Sequence, residues 1–303
     1  MRIVFLGTSG SMPTEARSSP GLAVRLGRHV LLLDCGEGTQ RQMVRARVGF
    51  RKTRHVLVSH LHGDHVLGLP GLLQSMSLLG REEPLHIYGP SGLARFIQCT
   101  SDTLGPPTFP VFVEELGGGG LVVEEADYRV VALEAKHTVE SFCYRVEEAP
   151  RPGRFHPEEA RRLGVPEGPL WGRLQRGEAV EVEGRLVEPH MVCGPPRPGR
   201  SLVYTGDTAP FEGLVEFARG ASVLVHEATF LEDLAGRAAE DGHSTALQAA
   251  RVAAEAGVGL LVLTHISPRY PDMERVLEEA RGAFPRVVVA RDLQVLEVPL
   301  LEE

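Results

Sequence analysis

Short, nearly unbroken runs of Val, Leu, Ile and Phe recur along the chain, separated by polar or Gly- and Pro-rich breaks. Runs of this kind predict strands buried on both faces. They fall at Arg2–Leu6, Leu22–Leu26, Val30–Leu33, His55–Val58, Leu85–Tyr88, Val111–Glu115, Tyr128–Leu133 and Phe142–Val146. A second set follows at Ser201–Thr205, Ser222–His226, Gly259–Thr264, Val287–Ala290 and Val295–Val298. Between them the apolar spacing switches to the helical period. That predicts helices over Glu37–Arg47, Leu67–Leu79, Ser244–Ala256 and Asp272–Ala283, and one opened by Pro90 and running through Leu104.

Strands and helices in both halves of the chain predict an α/β fold: two sheets packed face to face with helices outside, a four-layer αββα sandwich. Residues 150–190 break the alternation with Pro150-Arg-Pro-Gly-Arg and Gly164-Val-Pro-Glu-Gly-Pro169. The segment interrupts two strand regions and predicts a protruding insertion in a single domain spanning 1–303, with a short helix at His156–Leu163. Gly117–Gly120 reads as a flexible loop.

Composition narrows the class. The chain has 303 residues, 43% of them hydrophobic and 24% charged, as in ordinary globular domains. No apolar run approaches the ~20 residues that span a bilayer, and Met1–Leu6 is broken by Gly7 too soon for a signal peptide. A cytoplasmic location without a membrane is the expectation. Cys35, Cys99, Cys143 and Cys193 are scattered, which predicts buried, reduced thiols rather than a thiolate metal site. The net charge of −8 argues against a generic nucleic-acid coat protein. Two basic stretches stand against it: Arg41 to Arg54, with no acid, and Arg151 to Arg176, with six arginines against three glutamates. Each is either a phosphate contact or a solvated face.

The most specific chemistry lies at Ser59-His60-Leu61-His62-Gly63-Asp64-His65, directly after a predicted strand. Alternate residues of an extended segment share a face, so His60 and His62 point together while His65 follows a bend. Three further polar residues, His137, Asp207 and His265, each follow a predicted strand. Together they supply five imidazoles and two carboxylates, a nitrogen and oxygen donor set suited to Zn²⁺ and tolerant of Mn²⁺. Asp207 can bridge two ions, and a pair of ions suits hydrolysis of phosphodiesters. Asp34 ends a strand beside a Gly turn and reads as a turn residue first and a partner of a ligand His second.

H-x-H-x-D-H with distant His, Asp and His at strand ends resembles the metallo-β-lactamase fold superfamily. Within it, the chain resembles the ribonuclease Z family of tRNA 3′-processing endonucleases. The resemblance rests on Phe5-Leu6-Gly7-Thr8, Leu33-Asp34-Cys35-Gly36-Glu37-Gly38-Thr39-Gln40, Tyr204-Thr205-Gly206-Asp207-Thr208, His226-Glu227-Ala228-Thr229, Gly242-His243-Ser244-Thr245 and Ala290-Arg291-Asp292-Leu293. The insertion at 150–190, with Leu163–Leu170 inside it, is similar to the family's flexible tRNA-binding arm. The resemblance implies a zinc-dependent endoribonuclease acting on precursor tRNA, not on DNA, as a homodimer with two Zn²⁺ per chain. It implies one zinc on His60, His62 and His137, the other on Asp64, His65 and His265, and Asp207 between them. Asp64 would act as general base, and His243, opening a helix, as proton donor to the leaving 3′ oxygen. Glu227 would orient His243. On the residues alone, His243 reads equally as a helix-capping polar residue and Glu227 as a surface acid.

Bacterial members of the family carry Pro-x-Lys-x-Arg-Asn after the first strand. This chain has Pro13-Thr14-Glu15-Ala16-Arg17-Ser18, which leaves open how ends bearing CCA are handled. Two other readings remain. A hydrolase of small phosphodiesters or thioesters on the same scaffold would need no Arg-rich arm. A non-enzymatic RNA-binding protein would be expected to have lost ligands, and all seven positions are present.

Overall fold

The computed structural model describes residues 1–300. Contacts divide it into two compact units, one formed by residues 1–147 and 200–300, the other by 148–199.

The first half of the larger unit contributes β1 (Arg2–Gly7), β2 (Gly21–Leu26), β3 (His29–Leu33), β4 (Thr53–Leu57), β5 (Leu85–Gly89) and β6 (Val111–Glu115). The chain then gives β7 (Gly120–Glu124), β8 (Tyr128–Glu134) and β9 (Phe142–Glu148). In the smaller unit lie β10 (Val180–Val182) and β11 (Arg185–Val187). The remainder are β12 (Ser201–Tyr204), β13 (Val223–Glu227), β14 (Leu261–Thr264), β15 (Val287–Val289) and β16 (Val295–Glu297). One seven-stranded sheet has the order β16-β1-β2-β3-β4-β5-β6 and the other β15-β14-β13-β12-β9-β8-β7.

Alternation within each strand explains why these segments read as unbroken apolar runs. Ile3 and Phe5 of β1, Leu31 and Leu33 of β3, and Leu202 and Tyr204 of β12 enter one core between the sheets. Their neighbours Val4 and Leu6 pack outward under helices 39–45 and 68–78. Val203 packs outward under helix 246–256. Both faces are thus buried, and the layers run helix, sheet, sheet, helix. Each fully buried Leu or Phe contributes roughly 1.5–3 kcal/mol to this arrangement. β3 to β6 run parallel in the first sheet, as do β12 to β15 in the second. Loops leaving their C-terminal ends therefore collect at one edge.

Some boundaries differ from the sequence reading, for tertiary reasons. The helix expected from Pro90 begins at Leu93. Gly92 takes φ 95°, and the Glu115 carboxylate at the end of β6 accepts from the backbone N–H of Gly92 and Ala94, both at 2.9 Å. A cap supplied by a distant strand leaves no local trace. Helix 246–256 starts after Thr245, whose side chain closes a capping box with Gln248. His243 therefore lies in the loop before this helix rather than opening it. The Gly117–Gly120 loop runs directly into β7, a half-exposed edge strand whose weak alternation hid it. The thiols also differ: Cys35 and Cys143 are buried, Cys193 is partly exposed and Cys99 is exposed.

The unit 148–199 has its own small core of Ala160, Val165, Leu174, Val180, Val187 and Val192. Beside the helix at Pro157–Arg162 it carries an unforeseen second helix, Pro169–Gln175, and the β10–β11 hairpin. Its charge is balanced, with eight arginines and eight glutamates. Glu167 pairs with Arg161, Glu159 with Arg162, and Glu178 with both Arg173 and Arg176. The excess of base read over Arg151 to Arg176 is therefore offset by acids beyond that stretch and by pairing within it.

Candidate metal centre

His60 and His62 stand on the segment leaving β4, and Asp64 and His65 on the single helical turn Gly63–Val66 that follows. His137 lies beyond β8, Asp207 beyond β12 and His265 directly after β14. The structure brings all seven together. His60, His62, His137 and Asp207 offer ligand atoms all within 4.8 Å of one another, as do Asp64, His65 and His265. A third overlapping group joins Asp207 and His265 to His243.

Backbone geometry enforces the convergence. Gly206 turns the chain with φ 56°, and a Cβ there would lie 2.6 Å from Cβ of Ser59. No other residue lets Asp207 approach so closely. His265 itself has φ 55°, a left-handed conformation uncommon for a residue with a side chain.

Three of the histidines have their remaining ring nitrogen held. Nδ1 of His137 meets the Gly242 carbonyl at 2.8 Å, which leaves Nε2 directed at the cluster. Nδ1 of His65 meets Asp34 at 2.7 Å. Nδ1 of His265 meets the Thr229 hydroxyl at 2.8 Å. Asp34 is fully buried at φ 56°. Besides His65 it accepts from the Ser59 N–H at 2.6 Å, the Ser59 hydroxyl at 2.8 Å and the Tyr204 hydroxyl at 2.7 Å. The turn reading of Asp34 is thus overturned: its carboxylate is a buried acceptor that orients a site imidazole. Thr229 and Tyr204 were missed as site residues, because the hydroxyls that matter here are placed only by the packed strands.

The donor set fits divalent cations. Ring nitrogens face one another at 2.9 Å between His60 and His62, 3.2 Å between His137 and His62, and 3.3 Å between His65 and His265. Ring nitrogens that converge this closely can hold a cation among them. Among the described residues Oδ1 of Asp207 is buried without a hydrogen-bond partner, although Oδ2 lies 3.4 Å from both His65 and His265. Burial, reinforced by His65 and other nearby imidazoles, holds His60 well below its ordinary value, in the neutral form that binds metal. Burial opposes charge on His65, yet Asp207 and Asp34 outweigh it and push that group well up. Positive charge is what this pair of carboxylates demands at its centre.

Glu227 ends β13 and is 1% exposed. Its Oε1 lies 2.8 Å from Nδ1 of His243, and its Oε2 accepts from the Thr229 hydroxyl at 2.6 Å. His243 Nδ1 is also 3.9 Å from Asp207. Burial lowers the His243 pKa, but Glu227, then Asp207 and Asp241, more than compensate and hold it at about 9. Neither bland reading holds: Glu227 is no surface acid, and the His243 side chain faces Glu227 rather than a helix end.

The loop after β1 is tied down rather than free. Arg17 donates to the Thr8 hydroxyl at 2.6 Å and the Ala290 carbonyl at 3.0 Å, and the Ser18 N–H donates to Asp292 at 2.7 Å. Glu15 is exposed.

Two family models match: one described as anti-Pycsar protein Apyc1 over residues 1–98, the other as a beta-lactamase superfamily domain over 191–266. A protein of Methanosarcina mazei named ribonuclease Z is 50% identical over 302 residues, covering 99% of this chain and 98% of its own. Proteins of the same name from Methanothermobacter thermautotrophicus and Myxococcus xanthus are each 47% identical, covering 98% and 99% of this chain and 97% and 98% of their own. Among solved structures, the short form of human tRNase Z superposes with a TM-score of 0.73 at 27% identity, covering 99% of this chain and 100% of that one. A metallo-beta-lactamase fold protein of Bacillus subtilis superposes at 0.70 with 20% identity, covering 97% of this chain and 98% of its own, and shares the fold. With identity of this order over essentially its whole length, the chain belongs to the ribonuclease Z family and has the metallo-β-lactamase fold.

Proposed function

We propose that the chain is a metal-dependent endoribonuclease that removes the 3′ trailer from precursor tRNA, leaving a 3′-OH on the tRNA and a 5′-phosphate on the trailer. The observation that carries this reading is the seven-donor cluster with the buried Glu227–His243 pair at its edge, in a chain whose relatives are named ribonuclease Z. His60, His62 and His137 would hold one Zn²⁺ and Asp64, His65 and His265 a second, with Asp207 shared; Mn²⁺ suits the same donors. When bound, the ions supply Lewis acidity, lowering the pKa of water and offsetting charge on phosphate oxygens.

The chain's own groups divide the proton work. Asp64, partly exposed at the cluster, accepts the proton of the attacking water. As the bond from phosphorus to the 3′ oxygen breaks, His243 delivers its proton to that oxygen. Glu227 fixes the proton on Nδ1 by accepting from it, so Nε2 faces the reacting phosphodiester.

The homodimer reading finds support in Val44, Leu67, Leu78 and Leu79, large apolar side chains left exposed on neighbouring helices. Residues 148–199 would serve as the tRNA-binding arm, for which their compact separate core speaks. A cytoplasmic setting accompanies that substrate; among the described residues no helix is long and apolar enough to cross a membrane.

The test is incubation of metal-loaded protein with 3′-extended precursor tRNAs, with and without CCA. Cleavage at the tRNA 3′ end supports the reading, and intact precursor with both Zn²⁺ and Mn²⁺ sinks it. Deleting residues 152–186 separates the small-molecule hydrolase. That enzyme keeps its full activity, whereas the tRNA nuclease loses substrate binding and still turns over a small chromogenic phosphodiester.

A further inference from the structure

Six cations crowd the stretch from Arg41 to Arg54, and three are engaged. Arg45 donates to Gln42, Arg51 to the Leu79 carbonyl, and Arg54 pairs with Glu125. Among the described residues Arg47 and Lys52 have no side-chain partner, and they line a cavity of about 280 Å³ together with Arg2 and Arg25. Arg2 and Arg25 stand directly opposite each other on β1 and β2. Like charges so placed repel. Glu297 pairs with Arg2 at 3.3 Å, while among the described residues Arg25 has only the Gly27 carbonyl at 3.4 Å.

Arg47 is conformationally expensive as well. Its N–H bonds to the Val44 carbonyl, and the Val48 N–H to the Met43 carbonyl, which closes the helix 39–45 in a Schellman motif. Arg47 occupies the left-handed position of that motif with φ 55°, where glycine is favoured. The floor of the cavity is apolar, made by the buried Val4, Ala23 and Val30, with Val48 at its rim. It lies at the far end of the sheet from the metal cluster. β1 enters at Arg2 and leaves at Gly7 toward Ser9, which bridges to Ile266 beside His265.

We propose that this cavity binds a phosphate-bearing ligand of mononucleotide class, its phosphate between Arg25, Arg47 and Lys52 and its ring on Val4, Ala23 and Val30. The volume sits near the lower end of small-ligand clefts, roughly 300 Å³, and bidentate guanidinium groups suit phosphate oxygens. An anion there relieves the Arg–Arg repulsion and gives the strained Arg47 a purpose that the fold does not. The ligand is either a free nucleotide or a nucleotide unit of an RNA chain.

The test is hydrogen–deuterium exchange and calorimetry on the full chain with adenosine monophosphate, inorganic phosphate and a short oligoadenylate. Protection of residues 46–52 and the outer ends of β1 and β2 is expected with adenosine monophosphate or with the oligonucleotide. Protection by the monophosphate identifies a free nucleotide, and protection by the oligonucleotide alone identifies RNA. Arg47→Gly should lower the affinity about tenfold while raising the melting temperature by about 2 °C, since it removes the left-handed side chain. Arg25→Ala should weaken binding similarly, and turnover of a small chromogenic phosphodiester at the distant metal centre should be unchanged in both. No protection by either nucleotide probe, equal affinity in Arg47→Gly, or equal protection by inorganic phosphate alone would overturn the proposal.

Discussion

Oε1 of Glu227 lies 2.8 Å from Nδ1 of His243, inside a site where both side chains are largely withdrawn from water. The pairing favours the protonated imidazole and holds its pKa at about 9, above its ordinary value. The acid form is therefore present below that pH and is lost as pH rises through it. Cleavage should fall on an alkaline limb near pH 9. Glu227→Gln should move that limb toward neutral pH, and His243→Ala should abolish it with a loss in kcat of about 10²–10⁴. A limb unmoved in Glu227→Gln would remove the pair from proton transfer.

Asp34 and Thr229 hold the outer nitrogens of His65 and His265. Asp34→Ala and Thr229→Val should each weaken divalent-metal affinity by about 10–100-fold, read by competition with a chelator. Thr229→Ser keeps the hydroxyl and should retain wild-type affinity. Equal affinities in wild type and Thr229→Val would show that His265 needs no such support.

His55 is 4% exposed and lies 3.2 Å from Glu125. Burial depresses its pKa to about 4 despite the nearby carboxylate. The unfolded chain takes up this proton near pH 6.5, so the stability linked to His55 is present above that pH. It is lost as pH falls from about 6.5 toward 4. Metal-free protein should lose less stability over this window in His55→Gln than in wild type. Parallel loss in the two proteins would exclude His55 from the acid response.

Glu178 neutralises Arg173 and Arg176 in the unit 148–199, and all three are well exposed. Exposed pairs contribute about 0–1 kcal/mol, so Glu178→Gln should barely alter stability. It should free both guanidinium groups, tighten tRNA binding several-fold at low salt, and steepen the salt dependence. Unchanged affinity and slope would place these arginines away from the RNA.

Much of the fold and site was legible because chemistry and burial coincide along the chain. Strands buried on both faces left unbroken apolar runs, and His60, His62, Asp64 and His65 are too concentrated for any bland role. Asp34 was misread, since a turn carboxylate and a buried acceptor look alike until Ser59, His65 and Tyr204 are packed around it. Thr229 gained meaning only from its contact with His265, 36 residues on. The β10–β11 hairpin and edge strand β7 were hidden because short, half-exposed strands carry weak alternation.

The most direct measurement maps the termini produced from a 3′-extended precursor tRNA by metal-loaded protein, beside its Asp64→Ala variant. The expected result is a tRNA with a 3′-OH and a trailer with a 5′-phosphate, and a large loss of kcat in the variant. Intact precursor, a 2′,3′-cyclic phosphate on the tRNA, or undiminished cleavage by Asp64→Ala would contradict attack by water at this centre.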